Sequence, residues 1–275
     1  MFGRGHDTLP VVAPPRRSPP MTVVAPRRRL AIWSGPRNLS TALMRSFSSR
    51  SDCVVSDEPF YAAYLLATGL GHPGRAEVLA SQPHDWRVVA ERLAHGPAPL
   101  DRPLWYQKHM AHHMREEMLG DWLDALDHAL LVRHPARVIA SYRRVFGRMT
   151  LEETGLPWQV RLVERIERRR GAPPPIIDAA DLQRDPAGTL ARLCAALAIP
   201  WDPAMLRWPA GPHPQDGVWA PHWYADTWAS TGFAQERDAP GQPPPDVDFL
   251  DDALALYDRL TSCSSAAIPP TTRSS

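Results

Sequence analysis

Residues 30–43 read Leu30-Ala31-Ile32-Trp33-Ser34-Gly35-Pro36-Arg37-Asn38-Leu39-Ser40-Thr41-Ala42-Leu43. Four apolar residues, Leu30 to Trp33, make a short buried strand. Gly35-Pro36 turns the chain, and a helix is predicted from Ser40 to Ser49. A strand that turns tightly into a helix gathers unpaired backbone N–H groups and the positive end of the helix dipole at one point, where an anion is held. Arg37 adds a guanidinium there, and Ser40 and Thr41 add hydroxyls. The segment lacks GxxxxGK[ST], so it is not a Walker A loop.

Four more apolar runs repeat the strand pattern: Val54-Val55, Leu104 to Tyr106, Ala129 to Val132 and Pro175 to Ile177. Between and after them lie helical stretches at Pro135–Phe146, Pro157–Arg170 and Asp185–Leu197, the last with a proline suited to a first turn. Alternating strands and helices predict an α/β fold of three layers, a mainly parallel sheet with helices on both faces. Ligands of such sheets bind beyond the carboxyl ends of the strands. Residues 1–26 are rich in Pro and Arg and read as a disordered extension, 27–262 as a single domain, and 263–275 as a loose tail.

The composition excludes several classes. The chain of 275 residues is 44% hydrophobic and 22% charged, which rules out global disorder. Its 31 basic and 30 acidic residues nearly cancel to +1, so nucleic acid is not an expected partner. No apolar run approaches the ~18 residues of a membrane span, and the N-terminus lacks a signal-type apolar core, so no membrane partner and a cytoplasmic location are expected. The three cysteines, Cys53, Cys194 and Cys263, are too scattered for a disulfide framework or a metal knuckle. Among the basic residues only one is lysine, Lys108. Pyridoxal-phosphate chemistry, which needs a lysine Schiff base, has only that residue to use.

A second strand end reads Arg133-His134-Pro135 and continues through Ser141. With Arg133 at the end of the strand and Ser141 about two helical turns on, the pair suits a second phosphate. Together the two segments resemble the nucleotide-binding signatures of the sulfotransferase family, whose donor is 3′-phosphoadenosine 5′-phosphosulfate (PAPS). The first is similar to the family's 5′-phosphosulfate loop, P-[KR]-S-G-T-T, at Pro36, Arg37, Ser40 and Thr41, with Asn38-Leu39 in place of Ser-Gly. The second is similar to its 3′-phosphate segment, R-x-P-x(5)-S, at Arg133, Pro135 and Ser141. Asp181 to Pro186 matches a further family segment, so the resemblance runs from about Arg29 to Leu197. Beyond it, Asp216-Gly217-Val218-Trp219 and Ser230 to Phe233 occupy the place of a late nucleotide loop, without the usual Arg-Lys-Gly.

The resemblance implies a sulfotransferase that moves a sulfuryl group from PAPS to a hydroxyl or amine of a small-molecule or carbohydrate acceptor, with no metal. It assigns the 5′ end of the donor to Arg37, Asn38, Ser40 and Thr41, the 3′-phosphate to Arg133 and Ser141, and stabilisation of the leaving group to Arg37. Two candidates remain open for the base that deprotonates the acceptor. Glu58, in Ser56-Asp57-Glu58, matches the glutamate of carbohydrate-type members. His109, in Lys108-His109, matches the histidine of members acting on small alcohols and phenols, with Lys108 beside it to neutralise the bridging oxygen. His109 and His113, spaced i, i+4, have a weaker reading as two metal ligands on a helix. Trp219, Trp223, Tyr224 and Trp228 read as core or lid, Trp219 being the one that could cover the adenine. Arg165 to Arg170 reads as a solvated helix face, and Cys53 as a small buried hydrophobe. The alternatives are a catalytically silent nucleotide-binding relative of the same fold and a kinase-like phosphotransferase.

Overall fold

A computed structural model describes residues 28–235 and 246–267. Strand β1 (Arg28–Ser34) lies at the centre of a five-stranded sheet. Around it stand β2 (Cys53–Asp57), β3 (Leu104–Met110), β4 (Asp127–Val132) and β5 (Ile176–Asp178), in the order β2-β3-β1-β4-β5. Every pairing is parallel. All five predicted strands are present, because each is an apolar run buried on both faces.

Side-chain alternation along β1 divides the core into two layers. Leu30 and Ile32 pack with Leu43 and Phe47 of helix α1 (Ser40–Ser48), and with Tyr61 and Leu65 of α2 (Tyr61–Thr68). Ala31 and Trp33 face the opposite way. They join a cluster that includes Val89 and Leu93 of the later helix at Trp86–His95 and Leu162 of the helix at Leu156–Arg170. Taken in chain order after α2, these helices are α3 (Arg75–Ser81), α4 (Trp86–His95), α5 (Pro135–Phe146), α6 (Leu156–Arg170), α7 (Ala179–Arg184) and α8 (Pro186–Ala196). Two short helices, α9 (Ala220–Trp223) and α10 (Ala225–Trp228), precede a long one, α11 (Leu250–Ala267).

The predicted helix starts agree with the prolines. Pro135 opens α5, Pro157 sits in the first turn of α6, and Pro186 opens α8 while the Asp185 side chain accepts from Gly188 N–H at 2.9 Å. Two expectations change. Helix α11 runs to Ala267, well into the segment read as a loose tail, and Tyr257 within it donates to Asp178 at the end of β5. The 165–170 run is not wholly a solvated face: Arg165 is buried and donates to Asp124 and to the carbonyls of Leu119 and Gly120, tying α6 to that turn. The extension at 1–26 lies outside the described residues. No helix among the described residues is long and apolar enough to cross a membrane.

The turn after β1 is fixed by a close approach. A Cβ on Gly35 would lie 2.1 Å from the Thr154 carbonyl oxygen, and Gly155, held at φ +77°, packs against the same Cα. Gly35→Ala is therefore expected to destabilise the domain by about 1–3 kcal/mol through overpacking, read as a lower urea midpoint at unchanged slope.

Candidate active site

The turn that follows β1 uses two non-glycine residues in the left-handed region, Arg37 at φ 59° and Leu39 at φ 65°. Leu39 precedes α1 and no side chain caps that helix, so its first N–H groups face the turn unclaimed by a cap. The Asn38 carboxamide closes the loop, donating to Pro36 O at 3.0 Å and accepting from Gly35 N–H at 3.1 Å. The second segment, almost a hundred residues on, meets this turn directly. Arg133 donates to the Arg37 carbonyl at 2.7 Å, and Arg37 Nε donates to Ser141 Oγ at 3.0 Å. The two predicted cradles thus form one cationic corner.

Across the cavity β2 ends in Asp57 and Glu58. Glu58 is the third left-handed non-glycine residue, at φ 39°, and its N–H donates to the Lys108 carbonyl at 3.0 Å. Among the described non-glycine residues only Ala198 shares that backbone region without lining the cavity. Such conformations cost roughly 1–3 kcal/mol each and persist where the surroundings impose them. Here the imposing group is Lys108. Its buried ammonium donates to Asp57 Oδ1 at 2.9 Å, Glu58 Oε1 at 2.7 Å and the Tyr224 hydroxyl at 2.6 Å. Tyr224 also accepts from Trp219 Nε1 and donates its own proton to Asp57.

Burial opposes the Lys108 charge, but the charges of Asp57 and Glu58 outweigh it and hold the ammonium well above its ordinary pKa. Desolvation raises Glu58, and the Asp57 charge adds to this, against the pull of Lys108. All three N–H donors of Lys108 are engaged, so the expected bond to a bridging oxygen would require it to release a partner.

Between the two ends lies a cavity of about 380 Å³ at the carboxyl ends of β1 to β4. It is lined by Arg37, Asn38, Ser40, Thr41, Glu58, Lys108, Arg133 and Ser141 from the predicted set. His109 and Trp219 are not brought there. His109 points to the other face of the sheet, stacked on Trp33 at 4.2 Å and hydrogen-bonded to Gln107, because adjacent strand residues point opposite ways. The helical metal reading of His109 and His113 fails for the same reason: His109 is in β3 and His113 in a separate 3-10 turn. Trp219 is fully buried behind Tyr224. The late loop serves the fold: Asp216 binds Arg45 at 2.6 Å and Gly217 N–H donates to Asp57.

Sequence reasoning missed the bridging role of Tyr224 and Asp57 and the cavity-lining His112 and His113; Asp226 stands 3.7 Å from Arg37. The proximity of Asp57 to Glu58 was visible; the others needed the tertiary structure.

The structure thus places the turn after β1, the Arg133 segment after β4 and Glu58 around one cavity at the carboxyl edge of a parallel sheet. Residues 28–264 match the family model described as "Sulfotransferase domain", and the chain belongs to that family. Among solved structures, the chain is similar to "Sulfotransferase Domain from the Curacin Biosynthetic Pathway", at TM-score 0.55 and 16% identity, covering 86% of this chain and 99% of that one. It is also similar to "Sulfotransferase Domain from the Synechococcus PCC 7002 Olefin Synthase", at TM-score 0.54 and 18% identity, covering 86% and 95%. At these identities the likeness concerns the fold. Of curated proteins it resembles "Branched-chain-amino-acid aminotransferase-like protein 2" of Arabidopsis thaliana, 37% identical over 249 residues, and protein 1 of the same name, 38% over 246. Each match covers 86% of this chain, which spans 43% and 44% of those relatives' lengths.

Four imidazoles are buried uncharged. Burial pushes His109 and His112 down to about 3 and His128 to about 4, and drives His113 well below its usual value. His128 accepts from Trp33 Nε1 while its Nε2 bonds the Leu123 carbonyl, which suits one neutral tautomer. A folded pKa below the unfolded one means that the unfolded chain takes up these protons first. Stability is then complete above about pH 6.5 and is lost as pH falls, by about 1.4 kcal/mol per pH unit for each such group. Glu58, raised on folding, offsets part of this. The melting temperature is expected to drop steeply from pH 6.5 to 4; a flat profile would contradict neutral burial.

Proposed function

We propose that the chain transfers the sulfuryl group of PAPS to a hydroxyl or amine of a small-molecule or carbohydrate acceptor. The observation that carries this reading is the contact between the two cradles, Arg133 to the Arg37 carbonyl and Arg37 to Ser141, at one end of a cavity whose other end holds Glu58. A donor with phosphate at both its 3′ and 5′ positions needs two anion sites a few ångströms apart, and a single-phosphate ligand does not.

In this reading Arg133 and Ser141 hold the 3′-phosphate. The N–H groups at the start of α1, with Ser40 and Thr41, hold the 5′ end, while Asn38 keeps the turn in shape. Glu58 takes the proton of the acceptor as the acceptor oxygen bonds to sulfur. The bond from sulfur to the phosphate oxygen breaks, and its electron pair leaves on the nucleotide, where Arg37 and the N–H groups stabilise the growing charge. Lys108 acts through Glu58: it fixes the carboxylate, and the strained backbone turns the carboxylate toward the cavity.

The relatives' aminotransferase-like names do not transfer to these residues. A pyridoxal enzyme needs an uncharged lysine amine, whereas Lys108, the sole lysine, is held protonated between two carboxylates.

Calorimetric titration with the desulfated nucleotide tests the donor. Arg133→Ala is expected to weaken binding about 10- to 100-fold, the loss of a charged hydrogen bond. A parent chain that does not bind the nucleotide would overturn the assignment. Glu58→Gln is expected to keep nucleotide affinity and to lower the turnover of PAPS about 10²–10⁴-fold. Because folding raises Glu58, the acid limb of the parent's rate profile should lie above the ordinary carboxylate range, with activity rising through it.

A further inference from the structure

Beyond Glu58 the cavity changes character. Its wall there is built from Tyr61, His72, His112, His113, Phe146 and Trp223. Burial keeps His72, His112 and His113 uncharged, and Nδ1 of both His112 and His113 is buried with no hydrogen-bond partner. Lys108, the cation beside Glu58, has all three donors engaged. A carboxylate-bearing acceptor would lose its hydration against this wall and would also face Glu58.

His113 has a second place in the structure. Its ring lies between two tyrosines, stacked on Tyr61 with centroids 5.1 Å apart and on Tyr64 at 4.5 Å. On the far side of this stack is a separate cavity of about 220 Å³, lined by Tyr64, Leu66, Trp86, Met118 and His113 itself. His113 thus contributes to the walls of both spaces. Neighbours on both faces hold the ring in place, and its bulk is what closes the reaction cavity on that side.

We propose that His113 is the specificity-determining residue of the acceptor site, ending it on one side so that it takes a compact, uncharged alcohol on a flat apolar body. The proposal rests on the transferase reading of the same cavity. An acceptor elongated toward that side is excluded because its tail would need the volume beyond the His113 ring.

Binding can be read without turnover. Naphthol, hydroxynaphthoate and para-hexylphenol are titrated calorimetrically into the full chain, with and without the desulfated nucleotide. Naphthol should bind the parent at least tenfold more tightly than either of the others. His113→Ala should join the two spaces and tighten para-hexylphenol at least tenfold, with nucleotide affinity unchanged as the check on folding. His113→Phe, which keeps the partition, should exclude para-hexylphenol as the parent does. Equal binding of the carboxylate, or a length preference identical in parent and His113→Ala, would overturn the proposal. A parent that binds naphthol with this pattern but no nucleotide would sink the donor assignment and leave the acceptor site standing. Nucleotide binding without the pattern would do the reverse.

Discussion

A single buried ammonium holds together the working end of the sheet. The parallel register of β2 and β3 sets Asp57 beside Lys108, and the backbone of Glu58 continues that pairing by donating to the Lys108 carbonyl. Two carboxylates this close would repel each other strongly in a dry interior, and one of them would take up a proton. Lys108 opposes this, although Glu58 is still raised on folding, and Tyr224 supplies a further donor to Asp57. Removing Lys108 would leave the two buried carboxylates without their counter-ion, a loss of about 3–5 kcal/mol. The left-handed backbone at Glu58, the late loop anchored through Gly217, and the packing of Trp219 behind Tyr224 all depend on this cluster.

The cluster also polarises the cavity. Two carboxylates around one ammonium leave that end negative when both are ionised. The opposite end carries Arg37 and Arg133, and Arg144 reaches the same lining. An anion is drawn to the arginine end and repelled from the carboxylate end. Burial lowers the pKa of the histidines of the lining, which stand among aromatic rings. The arginines come from the segments after β1 and β4 and the glutamate from the end of β2, while the aromatic lining comes from α2, α5 and α9.

The sheet was legible because each of the five strands contains an apolar run buried on both faces, and the prolines at 135, 157 and 186 marked helix starts. The cradles were legible because Arg37 and Arg133 follow strands directly and so must lie at the carboxyl edge. The error at His109 has an equally simple cause. Gln107-Lys108-His109 is polar and looks like a loop, so β3 was ended too early at Tyr106. In the structure β3 continues to Met110, and all three polar residues are buried in it. Strand parity then sends Tyr106, Lys108 and Met110 to one face and Trp105, Gln107 and His109 to the other. Gln107 accordingly donates to Leu93 of α4, on the side away from the cavity. Helices α2 to α4 and α11 escaped notice because tertiary packing, more than a regular local period, places them. Tyr224 and Asp226 reach the cavity only through folding-back of the chain after α8.

The composition now has a structural reading. The chain uses arginine almost everywhere, and its one lysine stands at position 108. Three acceptor oxygens converge there from β2, from the turn after it and from the segment between α9 and α10, at 2.6–2.9 Å from one nitrogen. A compact ammonium with three rotating donors fits that convergence. A guanidinium is planar, larger and directed along a fork, and it would push Tyr224 away or split the two carboxylates. At Arg37 and Arg133 the requirement is the reverse, since a planar fork can bridge phosphate oxygens while also holding backbone or hydroxyl partners. The choice between the two cations therefore follows the shape of what each holds: three oxygens converging on one point at Lys108, and hydroxyl, backbone and carboxylate oxygens spread more widely at Arg37 and Arg133.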